Sequence, residues 1–310
     1  MCHLNVLKPS NQTNLYGLDF YFQDFINLYN NIKLPNKILL SGYKGTGKST
    51  LAYHLINYVL SKDEDYSYDF KNNKINSNNK SYKLIQNGSH PNFILIDIMS
   101  EKKNIDIAQI RNMITNLNKS SFNSKPRFIL IDNIEFFNLN SINALLKILE
   151  EPPINCFFVL VNNNRKIIPT LKSRCLNFKI DLTNEESHSI ANRLINTDAF
   201  DLINKDLLDY YFTPGKIYNL VKFSNENKIN LKTINLEKFL TFIIQENYYK
   251  KESPIKYMVF DFVELLLKKK INIGNLNFIN KFLKKIGNTK KLNLDEESLF
   301  IELDSKILNV

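Results

Sequence analysis

Residues 42–50 of the chain read GYKGTGKST, and this stretch decides the fold. It matches the pattern G-x-x-x-x-G-K-[ST] of a phosphate-binding loop. Glycines let the backbone curl so that its N–H groups point at phosphate oxygens, and the helix that follows adds its positive N-terminal end. Lys48 can reach the β- and γ-phosphates, and the Ser49 hydroxyl can coordinate Mg²⁺. The pattern predicts a nucleotide site formed by Gly42, Gly45, Thr46, Gly47, Lys48, Ser49 and Thr50.

The sequence around the loop predicts a parallel α/β sheet. The apolar run at 37–41 predicts a strand before the loop, and residues 49–60 have the apolar spacing of a helix. Later apolar runs predict four more strands, at 93–98, 128–131, 156–161 and 178–180. Amphipathic segments at 105–117 and 141–149 predict helices between them. Strands that alternate with helices indicate a parallel sheet.

The pattern changes after about residue 181, where strand-like runs fade and helical spacing dominates. Helices are predicted at 185–195, 205–212, 216–223, 236–246, 255–270 and 276–286. We therefore expect three domains, at 1–180, 181–230 and 231–310. Residues 63–88 are polar and Asn-rich, and they predict a loop or a poorly packed insertion.

Composition limits the class of protein. The 310 residues are 44% apolar, which is enough for two or three folded domains. The net charge of +10 fits a polyanionic partner such as DNA, although an AT-rich genome would also favour the many Lys and Asn codons. Three widely spaced cysteines predict neither a disulfide framework nor a zinc cluster. No apolar run approaches the roughly 18 residues of a membrane span, so a cytoplasmic protein without a membrane partner is expected.

A second acidic position supports the phosphate loop. The apolar strand predicted at 128–131 ends at Asp132. Behind a complete phosphate loop, a carboxylate at this place is expected to hold the Mg²⁺ that bridges the phosphates. The alternative is an aspartate that caps a turn.

Two further motifs carry a family resemblance. Residues 143–153, NALLKILEEPP, resemble the signature of the ATPase subunits of bacterial sliding-clamp loaders, which are AAA+ proteins. Ser173-Arg174-Cys175 follows at the family's distance. The resemblance covers about residues 15–225. It implies an AAA+ P-loop sheet flanked by helices, followed by a small helical lid domain and an all-α C-terminal collar domain.

The resemblance implies roles for two polar residues. Arg174 would project into the ATP site of a neighbouring subunit and act there, in trans, as an arginine finger. Without the resemblance, Arg174 would be interpreted as a surface arginine before a buried cysteine. Asn162 lies where the family places a polar residue that senses the γ-phosphate, and the assignment could shift to Asn163 or Asn164.

Other features are more similar to the delta-prime branch of this family than to the gamma/tau branch. Active members place a glutamate directly after the aspartate that corresponds to Asp132, whereas this chain has Asn133, which is a poor general base. Thr213-Pro214-Gly215-Lys216 occupies the lid segment where gamma/tau subunits have a sensing arginine. Residues 61–90 contain no cysteine, so the zinc module of many relatives is not expected.

The resemblance implies a clamp-loader subunit of the DNA polymerase III holoenzyme. Its expected cofactors are ATP or ADP with Mg²⁺, its own ATPase activity would be weak or absent, and no zinc is expected. Its expected partners are the gamma/tau and delta subunits, the sliding clamp and primer-template DNA. The alternative is a hydrolysing clamp-loader ATPase of the gamma/tau or replication-factor-C small-subunit type.

Overall fold

The computed structural model describes most of the chain, and its residues fall into two compact units. The described residues are 7–99, 102, 104–119, 123–163, 167–209, 211–251, 253, 255–271, 276–292 and 295–308. One unit lies within Val6–Glu186, and the other lies within Ser187–Val310. The division falls near the predicted boundary at 180. The finer boundary near 230 stays a prediction.

The described part of the first unit contains a five-stranded parallel sheet. The strands are β1 (Lys37–Ser41), β2 (Phe93–Ile96), β3 (Arg127–Ile131), β4 (Cys156–Asn162) and β5 (Leu176–Lys179). Their order is β2-β3-β4-β1-β5, with parallel pairing throughout. β1, β3 and β4 are apolar except for Lys37, Ser41, Arg127 and Asn162 at their ends, as is typical of strands in a sheet that helices cover on both faces. All five strands were predicted, with ends that differ by one or two residues.

Helices connect these strands. They are α1 (Asp19–Asn30), α2 (Lys48–Leu60), α3 (Lys80–Gln86), α4 (Ile107–Leu117), α5 (Leu139–Glu150) and the short α6 (Pro169–Lys172). The core between the sheet, α4 and α5 is fully apolar, with Ile129, Phe158, Ile110, Leu145 and Leu149 almost inaccessible. Full burial of one such side chain contributes roughly 1.5–3 kcal/mol. The core therefore fixes the carboxyl ends of the strands, where the site residues lie.

Residues 63–88, predicted to be a loop or a poorly packed insertion, contain neither helix nor strand before Lys80, but the segment is not poorly packed. It contains α3, and the side chains of Tyr68 and Ile75 are buried. Asn79 caps α3 by accepting a hydrogen bond from the Tyr82 backbone N–H at 2.8 Å. Asn79 also donates to the Tyr66 carbonyl at 2.9 Å. Asparagines in this segment act as helix caps and turn residues, which is why an Asn-rich sequence can be ordered.

An aromatic cluster joins this segment to α1 and α2. The cluster consists of Phe22, His54, Tyr58, Tyr68 and Phe70, with ring centroids 5.1–6.3 Å apart. The Tyr68 hydroxyl lies 2.7 Å from His54 Nδ1, and His54 Nε2 lies 3.1 Å from the Gln12 carbonyl. A carbonyl can only accept, so Nε2 carries the proton and Nδ1 accepts from Tyr68.

The second unit is helical. Its helices include α7 (Asn184–Ile195, which begins just before the unit), α8 (Ala199–Leu202), α9 (Lys205–Leu208), α10 (Pro214–Asn227), α11 (Leu236–Gln245), α12 (Lys256–Lys269), α13 (Leu276–Leu292) and α14 (Glu297–Leu303). The helix predicted at 205–212 is shorter in the structure, where α9 ends at Leu208. Among the described residues, no helix has both the length and the apolar character needed to cross a membrane.

Several contacts in this unit cross the predicted boundary near 230. Lys216 Nζ on α10 lies 2.6 Å from the Asp261 carboxylate on α12. The backbone N–H of Leu236 donates to Asp206 Oδ2 at 2.7 Å. Phe239 and Ile243 are fully buried within the unit. These two side chains therefore belong to the core of the second unit.

Candidate nucleotide site

The turn between β1 and α2 is shaped by three glycines. Gly42, Gly45 and Gly47 have φ values of +148°, +89° and +88°, which side-chain-bearing residues rarely adopt. A β-carbon on Gly42 would lie 2.3 Å from the Ile180 carbonyl oxygen. The backbone thus approaches Ile180, directly after β5, too closely for any other residue. This curled, glycine-dependent loop before a helix N-terminus fits a phosphate group.

Lys48 is folded against this loop. Its side chain is 3% exposed, and Nζ donates to the carbonyls of Gly42 at 2.9 Å and Tyr43 at 2.5 Å. Burial lowers the pKa of Lys48 to about 8, while the carboxylates of Asp132 and Glu135 act in the opposite direction. The ammonium group is therefore still mostly protonated at pH 7. It is a buried cation at the centre of a loop that can bind an anion.

Ser49 and Asp132 connect the start of α2 to the end of β3. Ser49 Oγ donates to Asp132 Oδ2 at 2.6 Å. Burial raises the pKa of Asp132 to about 6; the nearby Asp97 also raises it, and the Ser49 hydroxyl lowers it. A hydroxyl beside a carboxylate provides the oxygen ligands that Mg²⁺ prefers. The pair fits the predicted magnesium position, and Thr50 follows in the first turn of α2.

A chain of side-chain hydrogen bonds crosses the carboxyl ends of β2, β3 and β4. Asn133 has left-handed backbone angles (φ 55°, ψ 45°), and its N–H donates to Asp132 Oδ1 at 2.8 Å. Asn133 Nδ2 donates to Asp97 Oδ1 at 2.8 Å. Asn163 Nδ2 donates to Asn133 Oδ1 at 2.9 Å and to Glu135 Oε1 at 3.0 Å. The side-chain amides of Asn133 and Asn163 thus connect the carboxylates of Asp97 and Glu135, beside the phosphate loop.

The asparagines at the end of β4 include Asn163, which the sequence had offered as an alternative to Asn162. Asn162 is the last residue of β4, where it pairs with Ser41 and is buried. Asn163 is the residue that connects to Asn133 and Glu135. Asn164 lies outside the described residues. A run of three asparagines gave no signal that could separate them.

Arg174 lies between α6 and β5 and is partly exposed. Its Nη1 donates to the Thr170 carbonyl at 2.8 Å, and its Nη2 forms an ion pair with Glu150 at the end of α5. The side chain of Arg174 is 31% exposed, so its guanidinium is accessible to a neighbouring molecule. Arg174 is hydrogen-bonded to Thr170 and Glu150, whereas Ser49, Asp132 and the amide chain are hydrogen-bonded to one another.

Two of the cysteines lie in the described part of the chain. Groups of three or more His, Cys, Asp or Glu side chains with metal-binding geometry do not occur there. Cys156 is buried, and Cys175 packs against the core with a pKa raised to about 11 by burial. Both cysteines are therefore core residues.

The chain is similar to subunits of one bacterial assembly. A family model described as "DNA polymerase III, delta subunit" matches residues 18–184, more than half of the 310. A DNA polymerase III subunit delta' of Buchnera aphidicola subsp. Schizaphis graminum is 29% identical over 290 residues, which cover 86% of this chain and 83% of the relative. A DNA polymerase III subunit gamma of Buchnera aphidicola subsp. Acyrthosiphon pisum is 30% identical, covering 85% and 74%.

A solved structure supports the fold. A DNA polymerase III gamma subunit-related protein of Thermotoga maritima superposes with a TM-score of 0.51 at 18% identity, covering 92% of this chain and 98% of that one. At this identity the likeness concerns the fold alone. The predicted AAA+ architecture of the sheet and its flanking helices is confirmed.

Proposed function

This chain belongs to the DNA polymerase III delta-subunit family and is a clamp-loader subunit; from that premise we propose that it binds a nucleotide without hydrolysing it efficiently and lends Arg174 to a neighbouring subunit. Its role would be structural and regulatory. One observation carries the proposal. Beside a complete phosphate loop, the residue after Asp132 is Asn133, and both ends of its amide are hydrogen-bonded, to Asp97 and to Asn163.

Nucleotide binding is supported by the loop and its buried lysine. The loop N–H groups and Lys48 would hold the phosphates of ATP or ADP, and Ser49 and Asp132 would hold Mg²⁺. Bound Mg²⁺ would neutralise phosphate charge. The glycine geometry and the Ser49–Asp132 hydrogen bond support this assignment.

Inefficient hydrolysis is supported by the residue that follows Asp132. A general base must accept a proton from the attacking water, and an amide cannot do so. Asn133 presents an amide, and both ends of that amide are hydrogen-bonded to protein. The lid segment at 213–216 also lacks the arginine of gamma/tau subunits.

A trans role for Arg174 is supported by the partial exposure of its side chain and by its exposed ion pair with Glu150. A guanidinium offers a fixed fork of donors to phosphate oxygens. A finger of this kind raises phosphoryl-transfer rates by about 10³–10⁵. The partners we propose are gamma/tau and delta subunits, with the sliding clamp and primer-template DNA as the targets of the assembly.

A second candidate is a hydrolysing ATPase of the gamma/tau type. It is favoured by the intact Lys48, Ser49 and Asp132, and by Glu135, whose carboxylate is near enough to raise the pKa of Lys48. Gamma subunits are also among the relatives with about 30% identity.

Two measurements separate the candidates. The purified full chain is titrated with ATP and ADP in Mg²⁺, and its phosphate release is followed with and without primed DNA. We expect binding of nucleotide with negligible turnover. Turnover that disappears in Lys48→Ala would establish the hydrolysing alternative. Co-purification with gamma/tau and delta subunits tests the assembly, and failure to bind either subunit contradicts it.

A further inference from the structure

The hydrogen bond between Asp97 and Asn133 has a fixed direction. A carboxylate can only accept, so Asn133 must turn its NH₂ group toward Asp97. Its Oδ1 then faces Asn163, which can only meet it with an N–H. Asp97 at the end of β2 thereby determines the orientation of both amides at the ends of β3 and β4.

Asn133 is held at three points. Its backbone N–H donates to Asp132, its Nδ2 donates to Asp97, and its Oδ1 accepts from Asn163. Its backbone lies in the left-handed region, which asparagine and aspartate tolerate better than most residues. Asp97 Oδ1 also accepts from the Ile98 backbone N–H at 2.7 Å, which anchors the carboxylate itself.

Hydrolysis needs a carboxylate at a defined place. A water oxygen forms a bond to the γ-phosphorus, the bond from that phosphorus to the β–γ bridging oxygen breaks, and ADP leaves. The water proton must pass to a base. Here position 133, two residues after β3, offers an amide, and the carboxylate of Asp97, directly after β2, has one oxygen that accepts from two N–H groups.

We propose that Asp97 is the positioning residue that keeps this site from hydrolysing nucleotide: by accepting a hydrogen bond from Asn133, it fixes an amide at the position that follows Asp132. Exchange of the two side chains would place the carboxylate at position 133 and the amide at position 97, and an amide–carboxylate hydrogen bond could still join them. This inference deepens the proposed function and rests on it.

The pair explains why a single substitution at position 133 is insufficient. Asn133→Asp or Asn133→Glu would set a second carboxylate at hydrogen-bond distance from Asp97, where like charges repel. Asp97→Asn, made together with Asn133→Asp, would supply the amide donor that the new carboxylate needs. Aspartate and asparagine have nearly the same size, so the exchange adds no bulk.

The test is a double-mutant cycle on the full chain, made of wild type, Asp97→Asn, Asn133→Asp and the double variant. Melting temperature and ATP turnover are measured for each, with turnover also measured in the assembled complex. Asn155→Asp is the control, since Asn155 also has a positive φ (58°) but precedes β4 at the opposite end of the sheet.

We expect Asn133→Asp to have the lowest melting temperature and the double variant to recover most of that loss. We expect ATP turnover to rise about tenfold or more in the double variant alone, because a general base contributes about 10²–10⁴.

Each other outcome has one meaning. A double variant that melts as low as Asn133→Asp overturns the pairing. Recovered stability with unchanged turnover overturns the role of Asp97 in withholding hydrolysis. Wild-type turnover that Lys48→Ala abolishes contradicts the proposed function itself, whereas the melting cycle still decides whether the pair exists.

Discussion

Arg174 and Glu150 form an ion pair within the chain, and each belongs to one of the two motifs that carry the family resemblance. Glu150 ends α5, and Arg174 follows α6. An exposed pair of this kind contributes about 0–1 kcal/mol. A neighbour's triphosphate, which offers a stronger charge-assisted partner, can therefore compete for Arg174 at little cost.

Arg174→Ala is expected to lower the ATPase rate and clamp loading of a reconstituted loader without preventing its assembly. A trans arginine acts on the transferring phosphoryl group and not on folding. The measurements are DNA-stimulated phosphate release and clamp loading, with size-exclusion chromatography for assembly. Wild-type values for both activities would disprove the finger.

Glu150→Gln is the matched variant for that experiment. It keeps the size of the side chain but releases Arg174 from its internal partner. We expect the ATPase rate of the complex to be unchanged or higher, because the guanidinium no longer has to leave a carboxylate. A loss as large as that of Arg174→Ala would mean that the pair acts as a structural unit.

Lys48→Met is expected to weaken nucleotide binding by about tenfold to a hundredfold. The variant keeps the buried stem but removes the cation, and a hydrogen bond to a charged group contributes about 1.5–3 kcal/mol. Titration with a fluorescent nucleotide measures the effect. Lys44→Met, in the exposed part of the same loop, serves as the control. Equal nucleotide affinities for the two variants would show that Lys48 does not contribute to nucleotide binding.

Gly42→Ala is expected to be far more damaging than Gly88→Ala. Both glycines have positive φ, at +148° and +64°, but a β-carbon meets the Ile180 carbonyl at 2.3 Å only at Gly42, while Gly88 has open space. The left-handed conformation alone costs roughly 1–2 kcal/mol. Thermal melting and nucleotide affinity should fall clearly more in Gly42→Ala. Similar losses in the two variants would show that the loop can move away from β5.

The contribution of His54 to the stability of the first unit is expected to fall as the pH drops from about 6.5 to about 4, while the raised pKa of Asp132, about 6, acts in the opposite direction over part of this range. Burial lowers the pKa of His54 to about 4, so between these values the unfolded chain binds a proton that the folded chain does not. This contribution is full above the unfolded pKa and decreases below it, by roughly 3 kcal/mol at most. Denaturant unfolding across this range measures it.

His54→Gln should remove this contribution, so that the variant loses less stability than the wild type as the pH falls, at the cost of some stability at pH 7. His90→Gln is the control, since burial also lowers the pKa of His90 but this side chain is less enclosed. An unchanged slope in His54→Gln would mean that another group controls the acid response.

The sheet could be predicted because its strands are continuous apolar runs. β1, β3 and β4 are buried on both faces, and their composition alone indicates this. Other parts depend on contacts between residues far apart in the chain. Tyr68 is buried because it meets Phe22 and His54, and no local pattern around residue 68 reveals those partners. α1 was not predicted at all.

The site was predictable where a motif fixes both residue type and position. The phosphate loop and Asp132 lie together as expected, and they are joined by the hydrogen bond of Ser49. The amide chain was not foreseen, because the partnership of Asp97 with Asn133 depends on two strands being adjacent in the sheet. Asn133 had been interpreted as a missing base, whereas the structure presents it as half of a pair.

The aromatic cluster around His54 also ties the segment 61–90 to two helices of the first unit. Phe22 belongs to α1, and His54 and Tyr58 belong to α2, whose N-terminus lies at the phosphate loop. Loosening of these ring contacts would therefore disturb the helix on which the loop is built.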